Sequence, residues 1–234
     1  MDQLPEMKSN AAGFSLIELL IAMTTTIVML AIASTVLSSA FKIRGKQDAV
    51  TDSLADAQRA LNIMSREIAN AGFDLQGNGV VAGDSDSNSI RIRSNLNHYD
   101  TSPGVSDASR ANVQDPGEDV KYFINAAPNT NYLVRYDAYA VVGSGQFKST
   151  VLANRMDSLW IHYFAQKVSY QTADCDITNP SSVEVTPDAA AYIVIAACVR
   201  LPAFGAPNTA GYQPATNVLL VSDVTLRNAG SVGY

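Results

Sequence analysis

Proline is absent from the whole stretch between Pro5 and Pro103, which removes the commonest interruption of a long helix. Charge is almost absent from part of that stretch: Phe14 to Phe41 holds 28 residues with one charge and no glycine. Charged residues make up 16% of the 234-residue chain, hydrophobic residues make up 47%, and the net charge is -6. Asp2, Glu6 and Lys8 at the N-terminus carry -1 of that total. An acidic chain with no stripe dense in lysine and arginine has no general attraction to phosphate backbones. DNA binding would need a local basic patch on the folded head. Histidine is scarce as well. His98 and His162 have no clustered metal ligands, and His162 alternates within a strand pattern beside Trp160, which points to a structural role. No serine, cysteine or aspartate sits in a recognisable nucleophile motif, so the chain reads as a non-enzyme with no cofactor.

One acidic cluster bears on metals. Asp84-Ser85-Asp86-Ser87-Asn88 begins like a calcium loop, but Ser89 stands at the sixth position and Asn95 at the twelfth, where glycine and glutamate are needed. A solvated turn before a strand is the better reading. Cysteine occurs twice, at Cys175 and Cys198. The even count allows one bridge if the head is exported, or two buried thiols if it is not.

What is present in Phe14–Phe41 is an apolar run long enough to span a membrane. As a helix it measures about 42 Å, against a hydrocarbon core of about 30 Å. Its one charge, Glu18, is costly in lipid and needs a partner. A simple alternative places Glu18 at the interface, favouring its own helix N-terminus through the macrodipole. A secretory signal peptide would put a small-residue cleavage site after the apolar run. Here Ala11-Ala12-Gly13 precedes it. The competing site at Ser38-Ser39-Ala40 follows a run too long for a usual signal core.

Gly13-Phe14-Ser15-Leu16-Ile17-Glu18-Leu19-Leu20 resembles the prepilin signature shared by type IV pilins and type II secretion pseudopilins. The resemblance implies cleavage by a prepilin peptidase between Gly13 and Phe14 and N-methylation of Phe14. It also implies that Glu18 pairs with the Phe14 amine of a neighbouring subunit during assembly. Because Glu18 lies one helical turn from Phe14, pairing with its own amine stays open. Lys42, Arg44 and Lys46 follow the apolar run, and the positive-inside rule would place them in the cytoplasm. The resemblance places the leader inside and the head outside.

Beyond Gly45, the one weak point expected in the helix, Val50, Leu54, Ala57, Leu61, Met64, Ile68 and Ala71 alternate steps of four and three. This apolar seam predicts a helix packed on its own head, with Gly72 as the stop. Short β-type runs follow: 89–94, 120–124, 132–136, 157–164, 192–201 and 217–227. Loops are expected at 73–86, 97–117 and 171–188. The predicted fold is α+β: a long N-terminal helix, membrane-spanning then amphipathic, packed on an antiparallel β-sheet head, as in the pilin fold. The expected organisation is a leader at 1–13, a membrane and filament-core helix at 14–41, an amphipathic half at 42–71 and a periplasmic head at 72–234. A bridge between Cys175 and Cys198 would tie the 171–188 loop to the strand at 192–201.

Asn70-Ala71-Gly72-Phe73, Tyr132-Leu133-Val134-Arg135-Tyr136, the stretch from Val151 to Tyr163, and Val224-Thr225-Leu226-Arg227-Asn228 resemble PilW-like minor pilins and the related J-type pseudopilins. The implied function is a minor subunit that enters or primes a pilus near its tip. The implied partners are other minor and major pilins, the prepilin peptidase and the inner membrane, with the head on the cell surface after assembly. The alternatives are a J-type pseudopilin of a type II secretion system and, in a different class, a membrane-anchored adhesion or DNA-binding module.

Overall fold

The first helical hydrogen bonds follow Ser15, and the apolar run then continues as one element far past the point where lipid would end. The computed structural model describes residues 15–97, 112–127, 130–140, 148–208 and 212–230. Helix α1 runs Leu16–Ala69 without a break, and Gly45 is helical within it. The chain forms two compact units, Met1–Asp48 and Ala49–Tyr234. α1 contributes to both.

In the first unit the apolar side chains of α1 are exposed, with no cover among the described residues. Leu16 is 82% exposed, and Ile17, Leu30, Val36, Leu37 and Phe41 are exposed with it. The most apolar 18-residue window of this helix has a mean hydropathy of 2.3, and none of it is buried. Five of its hydroxyls are satisfied within the helix. Thr24 and Thr25 donate to the Ile21 carbonyl, Thr26 to Ala22, Thr35 to Ile32 and Ser39 to Thr35. Back-bonding of this kind lets polar side chains sit in an apolar helix without exposed donors. The segment is compatible with membrane anchoring.

In the second unit the helix is buried on one face. Ser53, Ala57, Ala60, Leu61, Met64 and Ile68 point into the core, so the seam read from the sequence is the packed face, widened by Ser53 and Ala60. The helix ends at Ala69, and Gly72 turns the chain at φ +75°.

Among the described residues nine strands follow: β1 (Ser89–Arg93), β2 (Asp119–Ala127), β3 (Thr130–Asp137), β4 (Ser149–Asn154), β5 (Met156–Phe164), β6 (Gln171–Ala173), β7 (Asp176–Thr178), β8 (Tyr192–Leu201) and β9 (Thr216–Thr225). All pairs are antiparallel. They form a four-stranded sheet in the order β1-β2-β3-β4, a three-stranded sheet in the order β5-β8-β9, and the hairpin β6-β7. The arrangement is α+β, a long helix packed on antiparallel sheets. Six strands fall where the sequence places them, with ends shifted by up to three residues. β4 is an addition. The 171–188 segment is not a plain loop, because it contains the β6–β7 hairpin. Its two-residue turn, Asp174-Cys175, has φ of 47° and 69°, the mirror-image turn that suits strand twist and usually carries Asn-Gly. Asp174 is a common residue in such a turn, but Cys175 stands where glycine is usual.

The main core lies between α1 and both sheets and includes Met64, Ile68, Ile90, Tyr122, Leu133, Leu159, Ile161, Ile193 and Ile195. A second cluster lies behind β8, where Phe164, Val168, Ile177, Tyr192, Val194 and Ala196 close together. β8 is therefore covered on both faces, which explains its nearly continuous apolar sequence YIVIAACV.

Candidate functional site

Gly13 and Phe14, the expected processing site, lie outside the described residues, as does His98. Glu18 occupies the first turn of α1. Its Oε2 accepts a hydrogen bond from the Ser15 backbone N–H at 3.2 Å. A carboxylate there satisfies one of the unpaired donors at a helix start and complements the positive end of the dipole. The simple alternative for Glu18, its own helix N-terminus, is thus present in the isolated chain.

Three of the segments singled out in the sequence, 70–73, 132–136 and 224–228, meet at the other end of α1. The Ala69 carbonyl accepts from the Arg227 N–H at 3.2 Å, and Asn228 Nδ2 donates to the Ala71 carbonyl at 3.0 Å. Two segments singled out at opposite ends of the head, 70–73 and 224–228, therefore meet. The third, 132–136, joins them through Arg135. Its Nε donates to Glu67 Oε2 at 3.0 Å on the last turn of α1, and Glu67 also accepts from the Tyr122 hydroxyl. Burial opposes charge on Arg135, but its hydrogen bond and Coulomb attraction to Glu67 raise its pKa further above the ordinary value. Burial, then the Glu67 charge, pushes the Tyr122 hydroxyl well above its usual range. This group docks the helix end onto the four-stranded sheet. Ser65 and Ser222 share a hydrogen bond of 2.7 Å that does the same for β9.

Cys175 and Cys198 form a disulfide with Cα atoms 5.2 Å apart. It joins the β6–β7 turn to β8, as expected. Closing a loop with a sequence separation of 23 contributes about 3 kcal/mol in the chain-entropy model. Asp84 and Asp86 are both engaged inside the fold. Asp84 Oδ2 pairs with Arg91 Nη1 at 2.5 Å, which holds the Asp84 carboxyl below its ordinary pKa. Asp86 Oδ1 accepts from the backbone N–H groups of Asn88 and Ser89, each at 2.7 Å, forming the turn that launches β1. Arg91 is shared. It also grips Asp119, whose side chain is 1% exposed, through Nε at 2.6 Å and Nη2 at 2.9 Å.

His162 is the residue whose environment the sequence concealed. Its Nδ1 lies 2.7 Å from Glu184 Oε1 and its Nε2 lies 2.7 Å from Asp176 Oδ1. Ionised carboxylates only accept hydrogen bonds, so two of them require both ring nitrogens to donate and the ring to be an imidazolium. Burial lowers the His162 pKa, but the bonds to Glu184 and Asp176 outweigh it and raise the value above 6.5. The contact spans 14 and 22 residues of sequence, so no local pattern reveals it. The sign follows from the raised folded-state value. The stabilisation is fully present below the unfolded-state pKa and is lost as pH rises through the folded one. His162→Gln should therefore destabilise the protein most below the ordinary histidine pKa of about 6.5, with the difference shrinking as the pH rises above it. Denaturant melts across that range check it, and a difference that grows with pH contradicts it.

Comparison with known proteins finds no match among family profiles, curated proteins or solved structures.

Proposed function

We propose that this chain is a minor subunit of a type IV pilus, of the PilW type, which enters or primes the filament near its tip. The observation that carries the reading is the helix itself. An apolar segment with no cover among the described residues, bearing one carboxylate in its first turn, continues without a break into a half that is buried in a β-rich head. Such a helix has two hydrophobic settings available: a lipid bilayer before assembly and a bundle of similar helices after it. The hydroxyls bonded back to the helix backbone suit either setting. Before assembly the subunit sits in the inner membrane with a periplasmic head; afterwards it belongs to a surface filament of minor and major pilins.

The leader is removed after Gly13 by the prepilin peptidase, and Phe14 becomes the N-methylated terminus. Glycine leaves no side chain to obstruct the peptidase, so Gly13→Val should accumulate full-length precursor in the inner membrane. Intact-mass analysis of the native protein is the test. A native terminus at Met1, or just after Ala40, overturns the proposal. Crosslinking in cells then identifies the neighbours: other pilins in this reading, secretion pseudopilins in the J-type alternative.

A further inference from the structure

The outer face of the β5-β8-β9 sheet is only partly covered. The segment between β5 and β8 closes over Phe164, Val194 and Ala196, and the disulfide at Cys198 marks where that cover ends. Beyond it lies an open, mostly polar groove of ≈ 730 Å³. Trp160 and Leu219, both half-buried, line it from β5 and β9. Asp157 and Asn217 line it from the same two strands, and Thr172 and Asp174 from the β6–β7 hairpin.

The groove's chemistry narrows what it can hold. No lysine or arginine lines it among the described residues, so an anion has no partner. Its polar groups are of both kinds: the Asp157 and Asp174 carboxylates accept, the Asn217 amide donates and accepts, and the Thr172 hydroxyl does both. An organic cation would use the acceptors and leave the donors idle. A purely apolar ligand would strip water from two carboxylates without replacing it. A sugar ring meets both demands, since its hydroxyls donate and accept while its C–H face lies flat on an indole. The disulfide ties the Cys175 side of the groove to β8, and on the β5–β9 side Asn217 Nδ2 donates to Asp157 Oδ2 at 3.2 Å in an exposed pair. We propose that this groove binds a neutral saccharide of one or two units. The ring stacks on Trp160, and neighbouring hydroxyls bridge the Asp157–Asn217 pair.

Trp160 is the single tryptophan of the chain, so intrinsic emission reports on the groove directly. The full-length protein, in a zwitterionic detergent without a sugar headgroup, is titrated with galactose, N-acetylglucosamine, lactose and N,N′-diacetylchitobiose up to about 50 mM. At least one should give a saturable change in emission, with half-saturation on the order of 1 mM or lower. Asn217→Ala should weaken that response about tenfold or more, while the melting temperature and the unliganded emission spectrum stay unchanged. Trp160→Phe, followed by saturation-transfer NMR, should lose most of the binding. Three results overturn the proposal: no saturable response to any of the four sugars; saturation by tetramethylammonium and not by sugars; or sugar binding that survives both Asn217→Ala and Asp157→Asn unchanged.

Discussion

Glu18→Ala should reduce surface filaments at least about tenfold while leaving membrane levels and the melting behaviour of the head as they are. The head is indifferent because the unit from Ala49 to Tyr234 has its own core, to which Glu18 contributes nothing. Insertion should become slightly easier, because a carboxylate in lipid costs about 2.5–3.5 kcal/mol at the centre of a bilayer. Assembly should suffer because the filament reading pairs this carboxylate with a neighbour's Phe14 ammonium, and an unpartnered charge in a low-dielectric setting is heavily penalised. A companion variant separates charge from capping. In the isolated chain Glu18 accepts from the Ser15 N–H, a task that glutamine can also perform. Glu18→Gln should therefore keep the helix start and still fail to assemble. Quantifying surface pili and co-purification with partner subunits, in cells lacking the native copy, is the measurement. Normal piliation by either variant would remove the assembly role. In this reading the incoming glutamate meets the amine of the subunit above, so a tip subunit would not need it. Failure of both variants would thus put at least one other subunit above this one.

The largest loss of stability is expected from Gly79→Ala. The chain leaving α1 folds back so that Gly72 and Gly79 touch beside the end of β1. The Gly72 N–H donates to the Arg93 carbonyl at 2.9 Å, and the Arg93 N–H donates to the Gly79 carbonyl at 2.7 Å. A Cβ on Gly79 would sit 2.0 Å from the Gly72 nitrogen and 2.5 Å from the Arg93 oxygen, both backbone atoms. The residue also has φ +74°, which strains any L side chain. Strain and overlap together should cost at least about 3 kcal/mol, or roughly 6–12 °C in melting temperature for a domain of this size. Gly77→Ala is the control. It has φ +90°, but its Cβ would meet nothing within 4 Å, so only the conformational term of about 1–2 kcal/mol applies. Denaturant melts followed by Trp160 emission compare the two. Equal, small losses would show that the junction relaxes freely around a methyl group.

How much was legible can be judged from particular residues. Ala57, Leu61, Met64 and Ile68 were readable as a buried face because helical periodicity repeats a local rule every three or four residues. The alternation in β1 and the long apolar run of β8 were readable for the same reason. β4 was missed because Val151 is exposed, so its strand shows no clear inward and outward alternation. The β6–β7 hairpin was missed because its strands have three residues each and its turn uses Asp-Cys. The groove at Trp160 could not be foreseen, since it exists only where a covering segment stops short of a sheet's end.

The sequence by itself determined that a long uninterrupted helix would form, with an uncharged first half except for Glu18 and a seam on its second. It also determined that a β-rich head with one possible disulfide would follow. These are consequences of composition and short-range period, and each can be evaluated within one turn or one strand. Only the tertiary structure decided that Glu67 holds Tyr122 and Arg135, that Arg227 and Asn228 close on the helix end, and that His162 lies between Asp176 and Glu184. Each of these pairs charges or donors separated by 14 to 158 residues. Whether such groups meet depends on sheet order and strand register, which the whole core selects at once, and a side chain carries no record of that choice.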